Sequence, residues 1–305
     1  MGLSQKLHIL LVMLGACLTA GIGTALAQDD DAKADVIAAF DRLSEGYRFT
    51  YSADTVMTVT DSDGVETINT LHYESAGAVD AAGSYHIEAE HTGSSSAETD
   101  VSVAFSFQRA SADGVDYVYL STSTLDLWQR FLFEGASEGW HRADDLLTAG
   151  SDGLSTRVLL DSILPAVLPG KFAPDEAWIL DISEGAPEAI NGAALRVFAM
   201  TLDGRQMAVA NLAQSGELTF DSSLIDQARV LAAGTFEGRM RAWVGAADGR
   251  FYRLEIESLT ILPYHSSAED GAETLPFDYK TSSVAVFELS AHGQVEAVEA
   301  PEMAP

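Results

Sequence analysis

From Tyr47 onward the chain alternates apolar and polar side chains with a period of two, stretch after stretch, which restricts it to β-strands with one covered face. Tyr47, Phe49, Tyr51, Met57 and Val59 alternate with Arg48, Thr50, Ser52, Asp54, Thr58 and Thr60. Asp61-Ser62-Asp63-Gly64 then supplies turn chemistry, and Val65 to Ser75 returns as a second strand, a long hairpin. The same behaviour recurs in Ser84 to His91 and in Val101 to Arg109, where Val103, Phe105 and Phe107 face away from Ser102, Ala104 and Gln108. Ala112-Asp113-Gly114 turns the chain into Val115 to Leu120. A sheet patterned in this way is antiparallel and buried on a single face.

The middle of the chain changes period. Ser151 to Leu168 reads as a helix interrupted at Pro165, and Asp221 to Ala232 as another. Between them lie strands at Ala177 to Ser183 and Ala194 to Leu202, with a less regular stretch at Arg205 to Gln214. Strand patterning resumes in Thr235 to Val244 and Phe251 to Leu262, and Phe277 to Leu289 is expected to close the sheet. Ahead of all this, Val36, Ile37, Phe40 and Leu43 sit at helical spacing behind Asp29 to Asp31, whose charge suits the positive end of a helix, and Gly46 stops the run. The fold class is therefore α+β, mainly antiparallel β: one large sheet with a few helices to cover its apolar face. Such a sheet curls and can leave a cavity between sheet and helices. Residues 28–301 read as one domain, and 302–305 as a disordered tail.

The first 27 residues carry Lys6, an apolar stretch from Leu7 to Leu18 and the string Ala25-Leu26-Ala27 before Gln28, the pattern of an export signal. The chain's one cysteine, Cys17, lies inside this segment in Leu14-Gly15-Ala16-Cys17, which resembles a bacterial lipobox. Two outcomes stay open: cleavage before Gln28, which removes Cys17, or lipidation of Cys17, which tethers the domain to a membrane. Either leaves the domain without a disulfide, so its stability comes from the core. The expected location is periplasmic or extracellular.

A formal net charge of -29, from 46 acidic against 17 basic residues, argues against nucleic acid and against direct docking on an anionic membrane, since both need basic patches. The acidity itself reads as solubility or adaptation to salt.

Chemistry is hard to find. His86-Ile87-Glu88-Ala89-Glu90-His91 matches neither zinc-protease string, and on a strand His86 and His91 point to opposite faces. Gly153-Leu154-Ser155-Thr156 does not continue into a nucleophile elbow, and Asp61-Ser62-Asp63-Gly64 lacks the remaining ligands of a calcium loop. The reading is non-enzymatic, with no catalytic residue, metal or cofactor. Trp128, Trp140, Trp178 and Trp243 are core residues or pocket lining. The candidate ligand contacts are the inward strand residues Phe49, Tyr51, Met57, Val103, Phe105, Leu254 and Ile256, whose alternation ordinary core packing explains equally well.

Gly139 to Leu146 (GWHRADDL), Gly192 to Leu202, Ala242 to Leu254 and the last strand, Val286 to Leu289, running on to Ala300-Pro301, resemble the LolA-like superfamily of extracytoplasmic carriers, and within it lipid-carrying lipoproteins of the LppX and LprG type. The resemblance implies a half-barrel wrapped on its concave face around helices, with a lipid, another apolar small molecule or a lipidated protein held between them. It transfers no catalytic residue. The alternative is a cell-surface structural or sensory domain that binds a protein partner through the same fold.

Overall fold

The structure, a computed structural model, describes residues 30–61, 63–96, 98–112, 115–123, 137–145, 168–206, 233–265 and 276–298. The export segment with Cys17, the helices expected at Ser151 to Leu168 (Leu168 apart) and at Asp221 to Ala232, most of Arg205 to Gln214, the tail and Trp128 lie outside the described residues.

A helix, α1 (Asp30–Asp41), leads through one 3-10 turn (Arg42–Glu45) into the sheet. The turn ends at Gly46, whose φ of +87° few other residues adopt without strain and whose N–H donates to the Leu43 carbonyl. The first strands are β1 (Tyr47–Thr60), β2 (Glu66–Val79), β3 (Tyr85–Ser95), β4 (Glu98–Ala112), β5 (Val115–Leu120) and β6 (Gly139–Arg142). They are followed by β7 (Ile179–Glu184), β8 (Glu188–Ile190), β9 (Ala193–Leu202), β10 (Thr235–Gly245), β11 (Phe251–His265) and β12 (Pro276–Ser290). All twelve belong to one curved, unclosed antiparallel sheet, a half-barrel, in the order β6-β5-β4-β3-β2-β1-β12-β11-β10-β9-β7, with β8 paired to β9.

The fold class read from the alternation is thus the one observed. The place of the last strand is different: β12 sits in the middle, between β1 and β11, where the sequence reading set it as the closing strand. It pairs with β1 from Arg48↔Ser290 to Thr60↔Asp278 and with β11 from Arg253↔Glu288 to His265↔Pro276. Its alternation therefore knits the two ends of the chain together. Within Gly139 to Leu146, the described residues form β6 followed by a 3-10 turn at Ala143–Asp145.

One face of the sheet is the core. Tyr47, Phe49, Tyr51, Ala53 and Met57 of β1, Ala285, Phe287 and Leu289 of β12, Leu254 and Ile256 of β11, and Met240 and Ala242 of β10 are all buried. The helix adds Ala32, Val36, Ala39 and Phe40 to this face, packing against β7 and β10, with the Phe40 ring edge-on to Phe251 at 4.5 Å. Each large apolar side chain removed from water contributes about 1.5–3 kcal/mol, which is how a chain without disulfides holds so long a sheet. Gly77, opposite Phe49 on β2, leaves room for that ring: a Cβ here would meet the His86 carbonyl at 2.3 Å and the ring at 2.8 Å.

Candidate functional site

Residues directly opposite each other in an antiparallel sheet share a face, so the register sorts the inner surface into rows running across the strands. Nearest α1 the rows are apolar. One runs Tyr51, Phe287, Leu254, Ala242, and the next Ala53, Ala285, Ile256, Met240. Tyr51 and Phe287 lie 4.5 Å apart between ring centres, Tyr51 and Tyr73 5.6 Å, and Phe172 and Phe287 5.3 Å. Burial pushes the Tyr47 and Tyr73 phenols well above their ordinary range, so both stay neutral.

Further from α1 the rows turn polar without turning outward. Thr55, Ser283 and Ser258 form one row, and Asn69, Met57, Thr281 and Thr260 the next. All seven are buried. Thr55 Oγ1 donates to Ser283 Oγ at 3.0 Å, and Ser258 Oγ to the Ser283 carbonyl at 3.4 Å. Among the described residues Asn69 Nδ2 has no hydrogen-bond partner, nor does Ser75 Oγ, which lies opposite Tyr51 in the first of the apolar rows.

Of the residues singled out from sequence, Phe49, Tyr51, Met57, Leu254 and Ile256 come together in this inner face, and all belong to buried structure. Val103 sits on β4 opposite His91 and is half-buried. Phe105 occupies the β4 position opposite Ala89. Sequence reasoning passed over the serines and threonines because polar residues were assigned to solvent. The signal was their phase: Ser258 and Thr260 continue the spacing of Leu254 and Ile256, and Thr281 and Ser283 lead in step to Ala285, Phe287 and Leu289.

On β9, Arg196 pairs with Asp35 of α1 and with Glu184 of β7 at 2.8 Å, and it sets the helix against the sheet. The two carboxylates hold its guanidinium charged, and its bond to Glu184 pulls that carboxyl below the usual range. Arg250 does the same for the 3-10 turn, its Nε donating to Glu45 at 3.0 Å.

The outer face is different in kind. His86 points there and His91 inward, as the alternation requires; His86 Nε2 lies 3.8 Å from Glu88, and the His91 ring lies 6.2 Å from that of Tyr73, tilted by 48°. Among the described residues no group of three or more His, Cys, Asp or Glu could hold a metal. Two grooves, of about 600 and 740 Å³, lie over this face, the first bordered by Arg48, Thr50, His86, Glu88, Tyr252 and Glu288, the second by Glu74, Glu90 and Ser106 among others. A small satellite core of Leu195, Val197 and Trp243 packs at the other end, with Trp243 Nε1 donating to Glu188 at 2.8 Å and Arg241 over its ring at 4.7 Å. Trp140 packs edge-on against Tyr119 and, like Trp178, is half-buried.

Three histidines give the protein a pH profile. Burial lowers the pKa of His91, and burial with the nearby Arg250 charge lowers that of His292. Both contribute stability that is complete above the unfolded value of about 6.5 and is lost as pH falls through their depressed values. His72, exposed and bonded to Asp54 at 2.8 Å and Glu74 at 3.2 Å, is raised and works in the opposite sense, its contribution present below about 6.5 and lost as pH rises through the raised value. The two half-buried rings are less screened by solvent than the exposed His72 and should dominate, so stability is expected to fall between pH 7 and 5, and His91→Gln to flatten that fall. Urea midpoints at the two pH values check it; an unchanged slope in the variant would refute it.

No family model matches the chain, and no curated protein matches it. Among solved structures the fold is similar to LprF from Mycobacterium bovis, at 11% identity over 90% of this chain and 98% of that one, with a TM-score of 0.35. It is also similar to the lipoprotein LppX from Mycobacterium tuberculosis, at 8% identity over 89% and 100% of the two chains and a TM-score of 0.33. A LolA superfamily protein from Nitrosomonas europaea matches at 10% identity over 89% and 95%, with a TM-score of 0.19.

Proposed function

We propose that this protein is an exported, non-enzymatic binder that shields a lipid or other apolar ligand against the inner face of its half-barrel. The observation that carries the reading is the inner face itself: apolar rows spread over β1, β12, β11 and β10 of a sheet that stays unclosed. Phe49, Tyr51, Met57, Leu254 and Ile256 are the proposed contacts, with Val103 and Phe105 on the β4 side. Residues 1–27 direct export, and Cys17, if retained, tethers the domain; no helix among the described residues is long and apolar enough to cross a membrane.

A protein-binding role is the second reading, favoured by the exposed Val56, Ile68 and Val284 on neighbouring strands of the outer face. One experiment separates the two. The protein is purified gently from a membrane-containing host, its organic extract is analysed by mass spectrometry, and the intact mass of its N-terminus is read in the same run. A stoichiometric lipid is the expected result. Protein from its native source that repeatedly carries none would overturn the carrier reading in favour of the partner-binding one, and the N-terminal mass decides between Cys17 and Gln28.

A further inference from the structure

The rows of the inner face change chemistry along the strands. Nearest α1 they present mostly rings and aliphatic groups, with Ser75 and His91 on the β2 and β3 side, and further along they present a polar band of Thr55, Ser283, Ser258, Thr260, Thr281 and Asn69. Burying a hydroxyl or amide costs free energy unless it is hydrogen-bonded. A chain selected only for a stable core would carry Val or Ala at such positions. Here six polar side chains are buried side by side, and one of them, Asn69, is 8% exposed with an N–H₂ that no acceptor among the described residues takes up. An orphaned amide aimed into an inner face is a donor awaiting an acceptor.

None of the six carries a charge, so an ionised head group would be buried there without a counter-ion, a cost far above that of a neutral one. The protein's net charge of -29 adds to the penalty for an anion.

From this we infer that the polar rows are a head-group subsite for an uncharged amphiphile, one that offers ester carbonyls or glycerol or sugar hydroxyls to Asn69 and its neighbours while its hydrocarbon chain lies along the apolar rows towards α1. The inference rests on the carrier reading above and adds the class and the orientation of the ligand.

The test uses the full mature protein and three probes of one chain length: an 18-carbon monoacylglycerol, the corresponding fatty acid at pH 8, and the corresponding alkene. Each displaces a fluorescent hydrocarbon dye from the wild type, from Asn69→Leu and from Thr281→Val. The monoacylglycerol is expected to compete best, and each variant to weaken it about tenfold, the worth of one buried hydrogen bond, while alkene competition is unchanged. Asn69→Leu removes an unsatisfied donor, so without ligand it should unfold at the same temperature as the wild type or higher.

If all probes compete but the variants treat them alike, the head-group subsite is wrong and the carrier reading stands. Dye that fails to bind, with no probe able to stabilise the protein against heat, removes the carrier reading itself. A ligand-free Asn69→Leu protein that is markedly less stable shows Asn69 to be held by structural water, and that also overturns the subsite.

Discussion

Phe287→Ala is expected to lower the free energy of unfolding by about 3–5 kcal/mol, read as a shift of the urea midpoint at constant slope. The ring is fully buried in the strand that joins both ends of the chain, opposite Tyr51 on one side and Leu254 on the other, with Phe172 packed on it at 5.3 Å. Its removal takes away the ring's own transfer energy and leaves a hole that the flanking strands cannot close, because their backbones are fixed by the ladders of β1 and β11. Phe287→Leu keeps most of the volume and should cost less than half as much. Glu288→Ala, one residue on and facing solvent, should move stability by no more than about 0.5 kcal/mol. The series also bears on function. A loss of under 1 kcal/mol for Phe287→Ala would mean that the ring lines open space and packs against little, and the same variant would then affect ligand capture in preference to folding.

Strand identity was legible because alternation is a local property: the stretches from Tyr47, Ser84, Val101, Val115, Ala194, Thr235 and Phe251 all became strands within a few residues of where the pattern begins and ends. Strand order was not, since the pairing of Tyr51 with Phe287 joins residues more than two hundred positions apart and leaves no mark in either segment alone. The three-residue strand β8 escaped notice because Glu188, Ala189 and Ile190 are too few to show a period. On the inner face, the apolar positions were readable and the polar rows were not. The rule that serine and threonine face water holds for most half-buried strands, and Thr55, Ser258, Thr260, Thr281 and Ser283 break it together. Only the register shows that the five exceptions are neighbours.

The way α1 is held gives the second large effect. Two kinds of contact fasten it: the apolar stripe of Ala32, Val36, Ala39 and Phe40, and the pairing of Asp35 with Arg196, which also reaches Glu184. The ion pairs are half in water, with side chains 36% exposed for Arg196, 45% for Asp35 and 37% for Glu184, so solvent and salt screen them. Arg196→Met is therefore expected to cost less than about 1 kcal/mol. Its signature lies in pH: the depressed Glu184 contributes stability that is present above its unfolded pKa and lost as pH falls through the folded one, and the variant should lose that part of the acid slope. Val36→Asp acts on the stripe, where the side chain is wholly buried, and forces a carboxylate either to ionise without a partner or to take up a proton. Its expected cost exceeds about 4 kcal/mol, or the helix detaches and exposes Phe251 and its neighbours to dye. Thermal unfolding with and without a hydrophobic dye distinguishes these outcomes. Equal losses for the two variants would show that charge holds α1 in place, and the inner face would then open with rising salt; the predicted inequality means that it opens only when the apolar stripe is broken.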